Sequence, residues 1–193
     1  ANPLLGVTVT KEYLEGVAAQ AKAIPGKANS IRRLHFCQWT DAESAWIGRD
    51  IWEACEDPNM TMEDFAGAEC WIGLDLGATK DMTARATVFR DGEDSEGRPC
   101  YALFAHGYTP GASLKERARE DKAPYEEWVD AGFLTATEGK VVRFDQVAAD
   151  IVELAQEYEI AALAYDRWLI RQFEVTLDEM GVTLPLIEHP QGT

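Results

Sequence analysis

The sequence has no long apolar run and no closely spaced cysteine pair. No window reaches the ~18 consecutive apolar residues of a membrane span, and no leader pattern opens the chain, so we expect a soluble, intracellular protein. The four cysteines lie far apart, which indicates neither a zinc site nor a disulfide framework and predicts buried free thiols. No Gly-Lys-Ser or Gly-Lys-Thr phosphate-binding loop is present, so the sequence gives no basis for assigning ATP hydrolysis.

Basic residues are also scarce. The 193 residues include 18 Lys and Arg against 34 Asp and Glu, a formal net charge of −16. Nucleic-acid affinity normally depends on phosphate neutralisation by Lys and Arg, and this charge would repel DNA over roughly 8 to 10 Å. Any contact with DNA must therefore use metal ions, a local basic patch or a partner that holds the duplex.

The chain divides by pattern into a helical part and a mixed part. Hydrophobic residues make up 46% of the sequence, and the length favours one domain plus an appendage. Thr10 is placed to cap a first helix, which Pro25 ends together with the glycine that follows it. We therefore expect a helical linker at residues 1–67 and an α/β domain at residues 68–193, truncated at its C-terminus.

Short strands begin at Cys70. The predicted strands are Cys70 to Leu76, Thr83 to Phe89, Cys100 to His106, Ile160 to Tyr165 and Val182 to Ile187. Asp145 is placed to cap a helix before the fourth strand, and Gly181 to end the helix before the fifth. An antiparallel meander followed by parallel crossovers resembles the order of the ribonuclease H-like fold, a mixed α/β sheet of five strands flanked by helices.

Asp75 is the first functional candidate. It ends an apolar strand and enters a glycine-rich turn, with Gly73 and Gly77 two residues away on either side. An ionised carboxylate among apolar neighbours costs several kcal/mol, which predicts a metal or phosphate partner, and the glycines would let a bulky ligand come close. The alternative is an Asp that only caps the next turn.

Asp166 follows the fourth predicted strand. In the predicted fold this strand lies beside the first and runs parallel to it, so Asp75 and Asp166 should lie at the same edge of the sheet. Two carboxylates in oxygen-rich surroundings suit Mg²⁺ or Mn²⁺ better than zinc. A pair of such ions about 4 Å apart would activate water and stabilise a leaving oxygen, so the implied reaction is hydrolysis of a nucleic-acid strand.

From Trp71 to Gly192 the chain resembles the C-terminal nuclease domain of tailed-phage terminase large subunits. Four segments carry the resemblance: Ile72 to Gly77 with Asp81 to Ala84, Pro124 to Gly132, Ile160 to Trp168, and Pro190 to Gly192. The part before them resembles the linker that follows the packaging ATPase. These four segments occur in the family's order, which is more specific than any one of them.

The resemblance implies a metal-dependent endonuclease that cuts concatemeric viral DNA by a two-metal mechanism. Asp75 and Asp166 would be the catalytic and metal-binding residues, with Mg²⁺ or Mn²⁺ as cofactor. The partners would be double-stranded DNA, the portal protein and the small terminase subunit, in the host bacterial cytoplasm and without a membrane. The resemblance also implies a third acidic ligand in a later segment, so we expect the metal site in this chain to be incomplete. Without that ligand the chain could lack nuclease activity. We expect the chain to be monomeric.

Other residues near the two acids are secondary candidates. Asp81 could assist as a metal ligand from the turn, although turn acids more often cap backbone amides. Glu188 and His189 follow the last strand and could also approach the metal. The candidate phosphate contacts are Lys80, Arg167 and Arg171. Ordinary salt bridging in an acidic protein is the alternative for these three cations.

Two other functions remain open at this stage. Asp75 to Lys80 also resembles the first phosphate loop of sugar kinases and actin-like ATPases, which would make the chain part of an ATP-dependent phosphotransferase. That function needs a second phosphate loop and an adenosine segment, which the sequence lacks. The other alternative is a non-catalytic docking module of the packaging motor.

Overall fold

The computed structural model describes residues 5–38, 47–77, 81–167 and 169–190. Two compact units are present, one up to Met60 and one from Thr61. The α-helices are α1 Lys11–Ala23, α2 Pro25–Phe36, α3 Arg49–Glu53, α4 Leu114–Glu120, α5 Tyr125–Asp130, α6 Phe144–Glu157 and α7 Ile170–Glu179. The strands are β1 Glu69–Asp75, β2 Thr83–Glu93, β3 Pro99–Pro110, β4 Leu134–Thr137, β5 Glu159–Tyr165 and β6 Leu186–Glu188.

The first unit contains α1, α2 and α3. Thr10 caps α1 as predicted, since its hydroxyl accepts a hydrogen bond from the Tyr13 amide at 3.2 Å. Pro25 lies at the start of α2, so it begins a second helix as well as separating it from the first. A proline in the first turn costs little because its missing N–H would have no partner in the helix there.

The second unit is built on one sheet with strand order β4-β3-β2-β1-β5-β6. The β1–β2 and β2–β3 pairs are antiparallel, whereas β1–β5, β3–β4 and β5–β6 are parallel. The predicted meander and crossovers are therefore confirmed. The predicted number of five strands is wrong because β4 adds a sixth, parallel to the end of β3. Its four residues are too few to give a clear alternation in the sequence.

Two predicted helix ends can be compared directly with the structure. Gly181 follows α7 with φ at +69°, as expected for a glycine that ends a helix. Asp145 is not the N-cap of α6, because the helix already begins at Phe144 and Arg143 is the capping position. The Asp145 carboxylate instead accepts hydrogen bonds from the Arg143 guanidinium.

The core lies where α6 and α7 cover one face of the sheet. Ile72 and Leu163 from the central strands are buried against Val147, Ile151 and Phe173 from the two helices. This packing holds β1 and β5 side by side, and it therefore fixes the edge at which both strands end. Among the described residues, no helix combines the length and apolarity needed to cross a bilayer.

The cysteines are free thiols, as predicted, but only one of them is fully buried. Cys70 on β1 has no exposed surface, and burial raises the pKa of its thiol to about 11. Cys100 is partly buried, while Cys37 and Cys55 are exposed. The prediction that all four thiols are buried is therefore wrong.

Candidate metal and nuclease site

Asp75 and Asp166 lie next to each other at the carboxyl edge of the sheet. The last pair in the parallel β1–β5 register joins Leu74 to Tyr165. Asp75 follows Leu74 in the sequence, and Asp166 follows Tyr165. Neighbouring strands lie about 4.8 Å apart, so the two backbones are separated by roughly that distance at this edge. Two residues 91 positions apart in the sequence are thus brought together by strand pairing.

The Asp75 carboxylate is exposed, which corrects the argument made from its apolar neighbours. Side chains alternate along β1, and Cys70, Ile72 and Leu74 face the core while Trp71 and Asp75 do not. Asp166 is partly buried. Desolvation of a buried charge is therefore not a reason to expect a ligand at Asp75, and the argument for a site has to come from the proximity of the two acids.

Gly77 and Thr83 shape the turn that follows Asp75. The Thr83 hydroxyl accepts a hydrogen bond from the Gly77 amide at 3.0 Å and donates one to the Gly77 carbonyl at 2.8 Å. A Cβ atom on Gly77 would lie 2.6 Å from the carbonyl oxygen of Asp81. Glycine is thus required here because the turn folds back onto its own backbone, whereas the sequence argument had assigned this glycine to ligand access.

The secondary metal-ligand candidates do not complete a site. Asp81 is exposed, with its backbone packed against Gly77. Glu188 pairs with Tyr165 across β5 and β6, and the His189 amide donates to the Tyr165 carbonyl at 2.7 Å. Both residues therefore lie one strand beyond Asp166. Within the described part of the chain, no group of three or more His, Cys, Asp or Glu side chains is arranged to hold one metal ion.

Two arginines lie close to Asp166 at an open cleft. Arg167 follows Asp166 directly, and Arg171 lies in the first turn of α7. Both are exposed and both line a cleft of about 680 Å³ between α7 and the end of β6. Lys80, the other predicted phosphate contact, lies outside the described residues.

A polar group on β3 is close to this edge of the sheet but faces the core side. The His106 imidazole is within 2.8 Å of the Thr135 hydroxyl on β4. Burial and the nearby Arg85 guanidinium lower the pKa of His106. Burial also raises the pKa of the neighbouring Tyr108 hydroxyl. The His106–Thr135 hydrogen bond joins β3 to β4, and it involves neither of the two aspartates.

Sequence reasoning missed Thr83 and Glu174, and it proposed Glu188 only as a further metal ligand. The sequence places Thr83 at the start of a strand, and the ability of a threonine hydroxyl to bond the backbone of a nearby turn is the signal that points to its role. Glu174 and Glu188 line the cleft beside the arginines. No sequence signal pairs them, because they belong to different elements, α7 and β6.

The chain is similar to one protein family and to two individual proteins. A family model described as "Terminase large subunit, endonuclease domain" matches residues 1–193. The chain is similar to the terminase large subunit of Enterobacteria phage HK97, at 36% identity over 193 residues. Protein YmfN of Escherichia coli K12 is 30% identical over 149 residues, covering 75% of this chain and 32% of that protein.

The crystal structure of the HK97 bacteriophage large terminase has the same fold. It matches with a TM-score of 0.65 and 34% identity, over 100% of this chain and 38% of that one. The match supports the ribonuclease H-like α/β architecture predicted from the element order. The chain spans 36% of the length of the HK97 large subunit in the sequence comparison.

Proposed function

The chain belongs to the family of terminase large-subunit endonuclease domains, and from that premise we propose that it cuts DNA by metal-dependent hydrolysis at Asp75 and Asp166. The observation that carries the proposal is the β1–β5 register, in which both acids directly follow the Leu74–Tyr165 pair. Carboxylates at the carboxyl ends of neighbouring parallel strands are a recurrent place for ligand binding in α/β sheets.

The donor set fits a hard divalent cation. Asp75 and Asp166 supply oxygen ligands at an open edge where water can complete the coordination, which suits Mg²⁺ or Mn²⁺. When bound, such ions activate water and stabilise the developing charge on a phosphodiester. Two carboxylates alone bind metal weakly, and Asp81 is the nearest further acid in the turn.

The residues around the two acids have different roles in this proposal. Asp75 and Asp166 hold the metal, and the double hydrogen bond between Thr83 and Gly77 keeps the turn after Asp75 in position. Arg167 contacts a DNA phosphate next to Asp166, and Lys80 remains a phosphate contact proposed from the sequence alone. Because the chain carries a net charge of −16, these local cations and the metal must offset its repulsion of DNA.

The family also indicates the setting in which this domain acts. We infer double-stranded DNA as substrate, a portal protein and a small terminase subunit as partners in a packaging motor, and the host bacterial cytoplasm as the location. The domain by itself is expected to be a monomer. These inferences rest on family membership. Family membership also favours the nuclease over an ATP-dependent phosphotransferase as the function of the segment from Asp75 to Lys80.

A non-catalytic docking module is the second candidate. It is favoured by one observation, that the described residues contain no three-ligand metal group. The nuclease and docking functions differ in whether the chain binds divalent metal at all and in whether it breaks phosphodiester bonds.

Nicking of supercoiled plasmid by the 193-residue chain, with Mn²⁺, Mg²⁺ or EDTA, tests the nuclease. Because two carboxylates alone bind metal weakly, we expect slow nicking that depends on added metal. Asp75→Ala or Asp166→Ala should lower this nicking by more than about a hundredfold, since even residues that only support a metal ligand can cost that much. Calorimetric titration with Mn²⁺ should show the same two variants losing the metal site. Asp91→Ala is the matched control, because Asp91 is an exposed acid on β2 and its loss changes the charge equally.

The outcomes separate the two functions. Nicking that persists in both aspartate variants would exclude this site as the nuclease centre. A wild-type chain that neither binds Mn²⁺ nor nicks DNA would leave the docking module as the better function. Circular dichroism of each variant establishes that the fold is retained.

A further inference from the structure

An open cleft of about 680 Å³ lies beside Asp166, between the start of α7 and the end of β6. Tyr165 and Arg167, on either side of Asp166, both line it. Because the strand order is β1-β5-β6, the cleft leads away from Asp75 toward the sheet edge. Its charged lining residues are Arg167, Arg171, Glu174 and Glu188.

The two arginines of the cleft have no partner among the residues that the structure describes. Several surface arginines elsewhere form ion pairs, namely Arg90 with Glu93, Arg98 with Asp94 and Arg143 with Asp145. Arg171 has Glu174 one turn along α7, but the two side chains form no ion pair within 4.0 Å. In a chain with 34 acidic residues, two unpaired guanidinium groups at one cleft keep their donors available for a ligand.

The dimensions and charges of the cleft fit a short piece of one nucleic-acid strand. Its volume is that of a small-molecule pocket, where ligands of about one or two nucleotides fit and a paired duplex does not. Guanidinium groups match phosphate oxygens in geometry and charge. The carboxylates of Glu174 and Glu188 repel phosphate and can accept hydrogen bonds from base amino groups. A bound strand is therefore expected to place its bases, and not its phosphates, next to these two glutamates.

We infer that the α7–β6 cleft is a binding subsite for the strand being cut, in which Arg171, with Arg167, holds the phosphate next to the scissile one. The inference rests on the proposed nuclease function. It specifies the form of DNA that enters the cleft, which is a single strand locally separated from its complement. Arg171 is a positioning residue, because it lies in the first turn of α7 and acts on the nucleotide next to the scissile phosphate.

Binding of a fluorescein-labelled single-stranded deoxyoligonucleotide to the 193-residue chain in EDTA tests the subsite without hydrolysis. We expect Arg171→Glu to raise Kd by about tenfold or more, the effect of losing one charge-assisted hydrogen bond. The salt dependence of binding should also become shallower, by about 0.7 in the slope of log K against log salt. Arg171→Lys should retain part of the affinity.

Arg90→Glu is the control, because Arg90 is exposed on β2, pairs with Glu93 and changes the net charge by the same amount. The inference requires Arg90→Glu to leave Kd nearly unchanged. Equal losses in the two charge reversals would overturn it, since they would reflect net charge alone. A wild-type chain that binds duplex but no single strand would overturn it as well.

Plasmid nicking separates this inference from the nuclease proposal. Arg171→Glu should raise KM and leave kcat nearly unchanged, whereas Asp75→Ala should lose kcat and still bind the oligonucleotide. If the wild type binds single strands through Arg171 but never nicks DNA, the subsite stands and the nuclease function fails. If it nicks DNA and Arg171→Glu has the same KM, the nuclease stands and the subsite fails.

Discussion

At the scale of single residues, Thr83 decides whether the first acid is held in place. It is fully buried, and its hydroxyl closes the turn by bonding both the amide and the carbonyl of Gly77. Asp75 lies two residues before that glycine, and no hydrogen bond joins its side chain to another of the described residues. We therefore expect the orientation of Asp75 to depend on Thr83, a residue that takes no part in the proposed chemistry.

Thr83→Val should separate this positioning role from packing. Valine has nearly the same shape but leaves the buried Gly77 amide without its partner, which costs about 1 to 3 kcal/mol of unfolding free energy. Urea unfolding followed by circular dichroism measures the loss, and Mn²⁺ titration measures the effect on the site. Thr83→Ser keeps the hydroxyl and should retain metal affinity. Equal metal affinity in the serine and valine variants would contradict the positioning role.

At the scale of elements, the site is produced by the pairing of β1 with β5. The register continues from Trp71 opposite Ala162 to Leu74 opposite Tyr165, and it shifts between Cys70 and Trp71. A slip of one residue would move one acid away from the other and turn the buried face of the strand to solvent. The core residues under α6 and α7 thus keep the backbones of the two aspartates side by side.

The edge strand β4 is joined to the sheet partly through His106. Burial and the charge of Arg85 lower the pKa of this imidazole, while Asp150 and the Gly132 carbonyl act in the opposite direction. A lowered pKa in the folded state means that the unfolded chain binds the proton more readily. Stability from His106 is therefore present above its ordinary pKa of 6.5 and is lost as the pH falls below it.

His106→Gln should reduce this acid sensitivity. Glutamine can still bond the Thr135 hydroxyl, but it does not titrate. Between about pH 7.5 and about pH 5.5, we expect the wild type to lose more unfolding free energy than the variant, because the imidazole is the side chain that ordinarily titrates there. Urea unfolding at the two pH values gives both differences. Identical pH dependence in the two proteins would exclude His106 as the titrating group.

At the scale of the whole molecule, residues 61–67 contact the sheet of the second unit. The Phe65 ring stacks on Phe89 of β2 with centroids 4.7 Å apart, and the Tyr158 hydroxyl donates to the Met62 carbonyl at 2.9 Å. The Gly67 amide also donates to the Glu157 carbonyl at 2.9 Å. Residues 61–67 therefore pack on the sheet unit, and we propose a domain boundary between Met60 and Thr61.

Two shortened chains would test the boundary. A chain of residues 61–193 should unfold cooperatively, and a chain of residues 68–193 should be less stable by about 3 to 5 kcal/mol, the usual cost of losing a packed phenylalanine. Phe65→Ala in the longer version should account for most of that difference. Equal stability of the two shortened chains would favour the boundary at 67.

The sequence alone predicted most elements of the second unit and proposed the two acids of the candidate site. These predictions used local properties of the chain, which are visible without the tertiary structure. The properties are the apolar strands that end at Asp75 and Asp166, an amphipathic helix before β5 and another after it, and the absence of close cysteine pairs. The same reading misplaced the cap of α6 and missed β4, since a four-residue edge strand has too little pattern of its own.

Only the tertiary structure decided how those parts meet. It showed that Asp75 is exposed, that Gly77 serves the turn, and that Thr83 closes it. It also brought two arginines and two glutamates to one cleft beside Asp166. The physical reason is that strand register, burial and the approach of α7 to β6 are set by packing between segments far apart in the chain, and no local pattern in the sequence records those contacts.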